Sequence, residues 1–419
     1  MVSPVDNAAT RDRLQTALRA ALRVRDKTAA SALRSALAAI DNASAVPAEP
    51  APGVASGPHF AGAAAGLGAG EAPRRGLTAG EAERIVHAEI AEREAAATGY
   101  ERAGHADRAG RLRREAAVLL SAVDPAGTAA AEAAAVAAFW QDLGLPGLVD
   151  IHTHFMPPNV LAKVWAFFEG GGAGMGRAWP IAYRLPEEER VALLRAFGVR
   201  RFSALLYPHK PGMAAWLNSW AAGFAARTPD ALHSATFFAE PGAGAYVAEA
   251  IGAGARLFKA HLQVGAYDPR DETLDAVWGA LAEARVPVVV HCGSGPAPGR
   301  FTGPGPISAV LVRHPRLTMI VAHLGAPEYG EFLDLAERYP GVHLDTTMVF
   351  TGFMERLAPF PAALRPRLAA AAGRILLGSD FPNIPYPYLH QLEALGRLDL
   401  GAAWLRAVCH DNAVRLLGL

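Results

Sequence analysis

Residues 149–155 read VDIHTHF. If this stretch is a strand, side chains two apart share a face, so His152 and His154 point to one side while Ile151 and Thr153 point to the other. Asp150 stands just ahead of them. Two imidazoles converging on one point suit a metal ion, and they equally suit a pair of hydrogen-bonded core histidines. The stretch alone leaves both readings open.

Seven more short apolar segments follow it: Arg200–Tyr207, Leu232–Glu240, Ala255–Val264, Val286–Gly293, Leu317–Leu324, Val342–Met348 and Ile375–Phe381, with the first at Leu148–Phe155. Each is followed by a loop and a helical or mixed stretch. Eight strands alternating with helices predict an α/β fold, a (β/α)8 barrel over 146–419, whose site lies at the C-terminal strand ends. A doubly wound sheet is the alternative, but it would not call for polar residues ending so many strands. Those ends carry His152 and His154, then Lys259 and His261, His291, His323 and Asp380. A barrel directs all of them into one cleft. Imidazoles and a carboxylate suit Zn²⁺, which takes about four N/O ligands and keeps one position for water when catalytic.

Ahead of the barrel the texture is helical. Apolar residues at helical spacing (Leu14, Leu18, Leu22; then Leu33, Leu37, Ile40) predict a hairpin turning near Arg25-Asp26-Lys27. Residues 44–76 are rich in Ala, Gly and Pro and read as loop or disorder. Thr78 and Glu81 stand at capping-box spacing and restart the helix, with Gly99 and Gly104 to Gly110 as candidate breaks. Residues 1–122 thus read as a separate all-α module, and 123–145 as an alanine-rich linker.

Composition narrows the function. The chain has 419 residues, 40 basic and 40 acidic, so no net field favours nucleic acid or an acidic membrane. Two cysteines give no disulfide framework and fit a reducing compartment; with no signal-peptide core and no long apolar run, a cytoplasmic protein with no membrane partner is expected. Only Lys27, Lys163, Lys210 and Lys259 are lysines among the 40 basic residues. Arginine serves wherever a generic positive charge suffices, so a retained lysine invites a specific role, above all one that needs a neutral amine.

Two resemblances add to this. The segments ALRVRDKTAASALRSALAAI and LTAGEAERIVHAEIAEREAAATGYERAGHADRAGRLRREAAVLL resemble the GatB/YqeY family of helical domains, over about 8–122. That resemblance implies tRNA or protein contact. Residues 1–122 hold 16 Arg/Lys against 14 Asp/Glu, a weak phosphate-binding footprint. A homo-oligomer is compatible with the sequence. Asp150-Ile-His-Thr-His154, Val289-Val-His-Cys292, Val321-Ala-His-Leu-Gly325 and Leu377-Gly-Ser-Asp-Phe-Pro382 together resemble the amidohydrolase superfamily, in the branch that holds both hydrolases and non-oxidative decarboxylases.

The second resemblance implies a divalent metal, Zn first and Mn or another ion second, one ion favoured over two. His152, His154 and His291 would be ligands. Asp380 would be a ligand or a proton shuttle, and His323 would polarise substrate or assist proton transfer. Lys259, if carbamylated, would be a bridging ligand between two metals; otherwise it would orient an anionic substrate. His261, His209, Lys210 and Arg177, the last in the Gly-rich run GGGAGMGRAWP, are candidate substrate contacts. Asp345 lines the cavity or supports a ligand, and Cys292 faces away as an inert thiol. The implied activity is hydrolysis of a C–N or C–O bond at a carbonyl centre of a small molecule. Non-oxidative decarboxylation of a small aromatic or unsaturated acid is the alternative, and a tRNA- or protein-binding adaptor with a non-catalytic barrel is the third reading.

Overall fold

The structure, a computed structural model, describes residues 7–23, 25–45, 75–170, 179 and 181–419. Arg177 and nearly all of 44–76 lie outside these residues. The chain divides into two compact units, Met1–Thr128 and Ala129–Leu419.

The first unit is built from α1 (Asn7–Arg23), α2 (Lys27–Ala43), α3 (Ala79–Arg102) and α4 (Ala106–Val123). Asp26 ends the first hairpin turn by capping α2, its carboxylate accepting from Ala29 N at 2.9 Å. Thr78 and Glu81 form the reciprocal capping box that opens α3. Helix α3 runs through Gly99 unbroken, because its hydrogen-bond ladder outweighs the roughly 1 kcal/mol cost of one glycine. The break comes at Gly104, whose φ of 79° a residue with a Cβ adopts only with strain. Leu14, Leu33, Ala36, Ile40, Val86 and Leu119 make this unit's own core. Leu22, in register with Leu14 and Leu18, stays 46 % exposed.

The segment expected as an alanine-rich linker, 123–145, is largely helical. Residues Pro125–Asp142 form α5, since alanine is the best helix former. Val136 and Phe139 of this helix join the core of the second unit, and Trp140 Nε1 donates to the Phe197 carbonyl at 3.0 Å.

In the second unit eight parallel strands follow in chain order: Leu148–Asp150, Val199–Ser203, a third split into Ala231–Leu232 and Ser234–Thr236, Leu257–His261, Val288–His291, Met319–Val321, Val342–Asp345 and Ile375–Leu376. Each ladder pairs consecutive strands, and the split at His233 is bridged by Ala204 N donating to Ser234 Oγ. Ile151 N donates to the Leu377 carbonyl and His154 N to that of Phe381, joining the eighth strand to the first. The strands are shorter than predicted because their C-terminal ends leave the ladder to carry the site.

Alternation sorts the side chains. Val149, Leu257, Val289, Ile320 and Leu376 point inward and plug the floor of the ring, while Phe258, Val288, Val290, Met319 and Leu344 point outward into the core beneath the helices. One step beyond the floor, at the same inward parity, stand Lys259, His291 and Asp345. Among the described residues no helix is long and apolar enough to cross a membrane.

Candidate metal centre

His152, His154 and Asp380 bring three ligand atoms within 4.8 Å of one another. Each is aimed by the backbone and by a second partner. His152 Nδ1 lies 2.8 Å from Asp345 Oδ2, and His154 Nδ1 lies 3.0 Å from the Leu205 carbonyl. A carboxylate and a carbonyl only accept here, so the proton sits on Nδ1 in both rings. Both Nε2 atoms are thereby left as lone pairs, the arrangement by which proteins orient histidine ligands.

Those lone pairs converge on the third member. His154 Nε2 is 2.8 Å from Asp380 Oδ1, and His152 Nε2 is 3.6 Å from the same oxygen. An imidazole lone pair and a carboxylate oxygen repel at 2.8 Å unless a cation, a proton or a metal ion, stands between them. The donor set therefore fits a divalent ion with N/O ligands. Burial pushes the Asp380 carboxyl up, but a cation shared with His154, with His152 and His323 adding to it when they carry charge, more than reverses this and holds it well below the usual range. Asp380 takes φ 71°, a strained conformation for a residue with a Cβ, and its N–H donates to the His152 carbonyl at 2.8 Å. Two residues earlier Gly378 lets this strand end approach: a Cβ there would stand 2.7 Å from His152 Cβ and closer still to Thr347 Oγ1.

Asp345 is the hub of the floor. Fully buried, it accepts from His152 Nδ1 through Oδ2, and from the backbone N–H groups of His323 (2.8 Å) and Thr347 (3.1 Å) through Oδ1. Burial alone would raise its pKa; the His152 contact and the other donors win and keep it ionised. His152 is pushed down to about 3, by burial first and by Lys259 next, so it is neutral near pH 7. Lys259 is also fully buried, with Nζ 3.0 Å from His152 Nε2, and burial pushes its amine down to about 8.

His323 has φ 55° and donates its Nδ1 proton to the Thr347 carbonyl at 3.0 Å, leaving Nε2 as an acceptor. A ring so fixed can take a proton at Nε2 and, once protonated, can donate to a substrate carbonyl, the two roles expected for it. His291, expected as the third histidine ligand, is not in the three-residue group. Its Nε2 is tied to the Gly295 carbonyl at 3.0 Å and its ring stacks on His261 at 4.1 Å. Both rings line the cleft, and burial drives both well below the usual histidine range.

The cleft above has a volume of about 810 Å³. His209 and Lys210, proposed from sequence, lie exposed on its wall. Tyr207, Trp179, Met348, Asn383 and Lys163 also line it and were not singled out as contacts. For Lys163 a signal existed in the rarity of lysine. For Tyr207, whose ring meets His154 edge-on at 5.7 Å, the signal was its place at the end of the second strand. Cys292 faces outward into the core, and burial raises its thiol strongly.

The profile of the amidohydrolase family matches residues 149–419. An uncharacterized TIM-barrel protein from Bordetella bronchiseptica is 21% identical with a TM-score of 0.51, covering 65% of this chain and 99% of its own; this likeness shows the barrel fold. A 5-carboxyvanillate decarboxylase from Sphingomonas paucimobilis is 15% identical (TM-score 0.46, 65% and 99% covered). Another from Novosphingobium aromaticivorans, complexed with manganese, is 17% identical (TM-score 0.44, 66% and 97% covered). No curated protein matches.

Proposed function

The chain belongs to the amidohydrolase family over residues 149–419, and from that premise we propose that it is a metal-dependent hydrolase of a C–N or C–O bond at a carbonyl centre of a small molecule. The observation that carries this is the convergence of two Nε2 lone pairs on the Asp380 carboxylate, each ring locked through Nδ1. His152, His154 and Asp380 would hold one ion, Zn²⁺ by its affinity for mixed N/O sites, with Mn²⁺ as the substitute. Such an ion supplies Lewis-acid polarisation of a carbonyl and an acidified water at neutral pH.

The chain's own groups do the rest. Asp380, kept ionised, accepts a proton from the attacking water and returns it to the leaving group. His323 offers Nε2 as a second acceptor across the cleft floor, and Asp345 keeps the His152 ring and the His323 backbone in register. The floor is walled by apolar residues, which exclude bulk water and strengthen these interactions.

Decarboxylation is the second reading, and the observation favouring it is Lys259, a buried amine beside the ligands that can hold a carboxylate over the floor. We place the activity in the cytoplasm. For the helical unit we keep GatB/YqeY-like contact with tRNA or a protein as a proposal, along with self-association.

Metal content by plasma mass spectrometry, in the wild type and in His152→Ala/His154→Ala, tests the centre. About one equivalent in the wild type and none in the variant is the expected result. No metal after reconstitution would refute the reading. With a turned-over substrate in H₂¹⁸O, label in the product marks hydrolysis, and CO₂ release without it marks decarboxylation.

A further inference from the structure

The chain holds four lysines against 36 arginines, yet three of the four, Lys163, Lys210 and Lys259, line the one cleft, and no arginine among the described residues does. Lys259 lies at the floor; Lys163 and Lys210 are exposed, at the mouth. Asp380 at the floor is the sole carboxylate lining the cleft among the described residues, so the mouth is cationic without a counter-charge on its walls.

The same mouth is apolar. Phe167, Trp216 and Val264 are 54 %, 46 % and 37 % exposed, and all three line the cleft. Two elements carry most of this wall: α6 (Pro158–Glu169) and the start of the helix Ala214–Arg227. Helix α6 is apolar on two faces. Leu161 and Trp165 are buried in the core, while Val160, Val164 and Phe167, at spacings of four and three, face the cleft. Val160 and Val164 are half-buried against the core and Phe167 is open to solvent, so this side of the helix is packed at its base and leaves an apolar edge free for a ligand.

We propose, on the reading of the site given above, that the substrate is an amphiphilic acid: an extended apolar body with a carboxylate at the end remote from the scissile bond. The body lies along Val160, Val164, Phe167 and Trp216, and the remote carboxylate meets Lys163 and Lys210 at the mouth. Lysine serves this position because its four-carbon stem adds to the apolar wall while its compact ammonium stays in water.

Calorimetric titration of the full-length, metal-loaded protein with octanoate, octan-1-ol and acetate tests this. Octanoate is expected to bind about 10-fold more tightly than octan-1-ol, as a charge-assisted contact implies, and acetate to give no binding in that range. Lys163→Met/Lys210→Met, which keeps the length of the apolar stems and removes their charge, should erase the preference and leave octan-1-ol unchanged, while Trp216→Ser should weaken both long ligands. Equal binding of octanoate and octan-1-ol overturns the proposal. So does a preference that survives the double lysine variant, because the carboxylate would then be read at the floor. Metal content measured on the same samples separates the two claims: protein that keeps its metal but shows no charge preference loses the substrate class and retains the metal centre.

Discussion

Asp345→Asn is nearly isosteric and tests the tautomer on which the metal centre depends. In the wild type Oδ1 accepts from two backbone N–H groups and Oδ2 from His152 Nδ1. An asparagine oxygen can keep the two backbone bonds, which places its NH₂ against Nδ1. Two donors cannot face each other, so the His152 proton must move to Nε2, removing the lone pair aimed at the metal. Loss of an outer partner of a histidine ligand costs about 10–100-fold in metal affinity, or about 1.4–2.7 kcal/mol. The tautomer change puts this variant at the upper end. Competition with a chromophoric chelator reads the affinity directly, and urea unfolding reads the fold, expected to lose about 1–3 kcal/mol from the altered buried hydrogen bond. A variant that folds and binds metal within about 3-fold of the wild type would refute the argument.

Three further outcomes follow from other parts of the molecule. Gly378→Ala places a Cβ against His152 and Thr347; it should destabilise the barrel by about 1–3 kcal/mol and lower metal occupancy, read together by unfolding and metal analysis. His343, on the seventh strand, has a buried Nδ1 with no hydrogen-bond partner, and burial, then Arg374 and Arg415, push it down to about 4 from an ordinary 6.5. A depressed pKa adds stability that is full above pH 6.5 and is lost as pH falls through about 4, at most roughly 3 kcal/mol; His343→Leu should flatten that acid limb in urea titrations, and an unchanged slope contradicts it. In the helical unit Leu33→Ala opens a cavity in a core position 1% exposed, costing about 2–5 kcal/mol of that unit's stability by calorimetry with metal content unchanged.

The barrel was legible because period-two apolar segments recur between helices, and because a strand that ends on a polar residue at inward parity announces a cleft. His152, His154, His323 and Asp380 could be placed that way. What the sequence withheld was angular. His291 has the right parity and lines the cleft, and its Nε2 meets the Gly295 carbonyl, a contact set by loop geometry four residues on. For Asp345 the sequence offers a place on the cavity wall or support of a ligand; that its two oxygens serve two different strand ends depends on distances across the ring. The helix within 123–145 is hard to see in sequence because alanine repetition looks like low complexity, while its Val136 and Phe139 pack against a core that the local sequence does not reveal.

Helix α6 has a consequence for how such a protein diversifies. Leu161 and Trp165 anchor it from one side, and Val160, Val164 and Phe167 present the other. Exchanges at Phe167, 54 % exposed, alter what the cleft accepts without opening a cavity in the core, whereas Val160 and Val164 also pack against that core, so ligand choice and folding overlap on one helix and part at its exposed end. New ligand preferences can then arise by substitutions that carry little penalty in stability, with the metal-holding floor left as it stands.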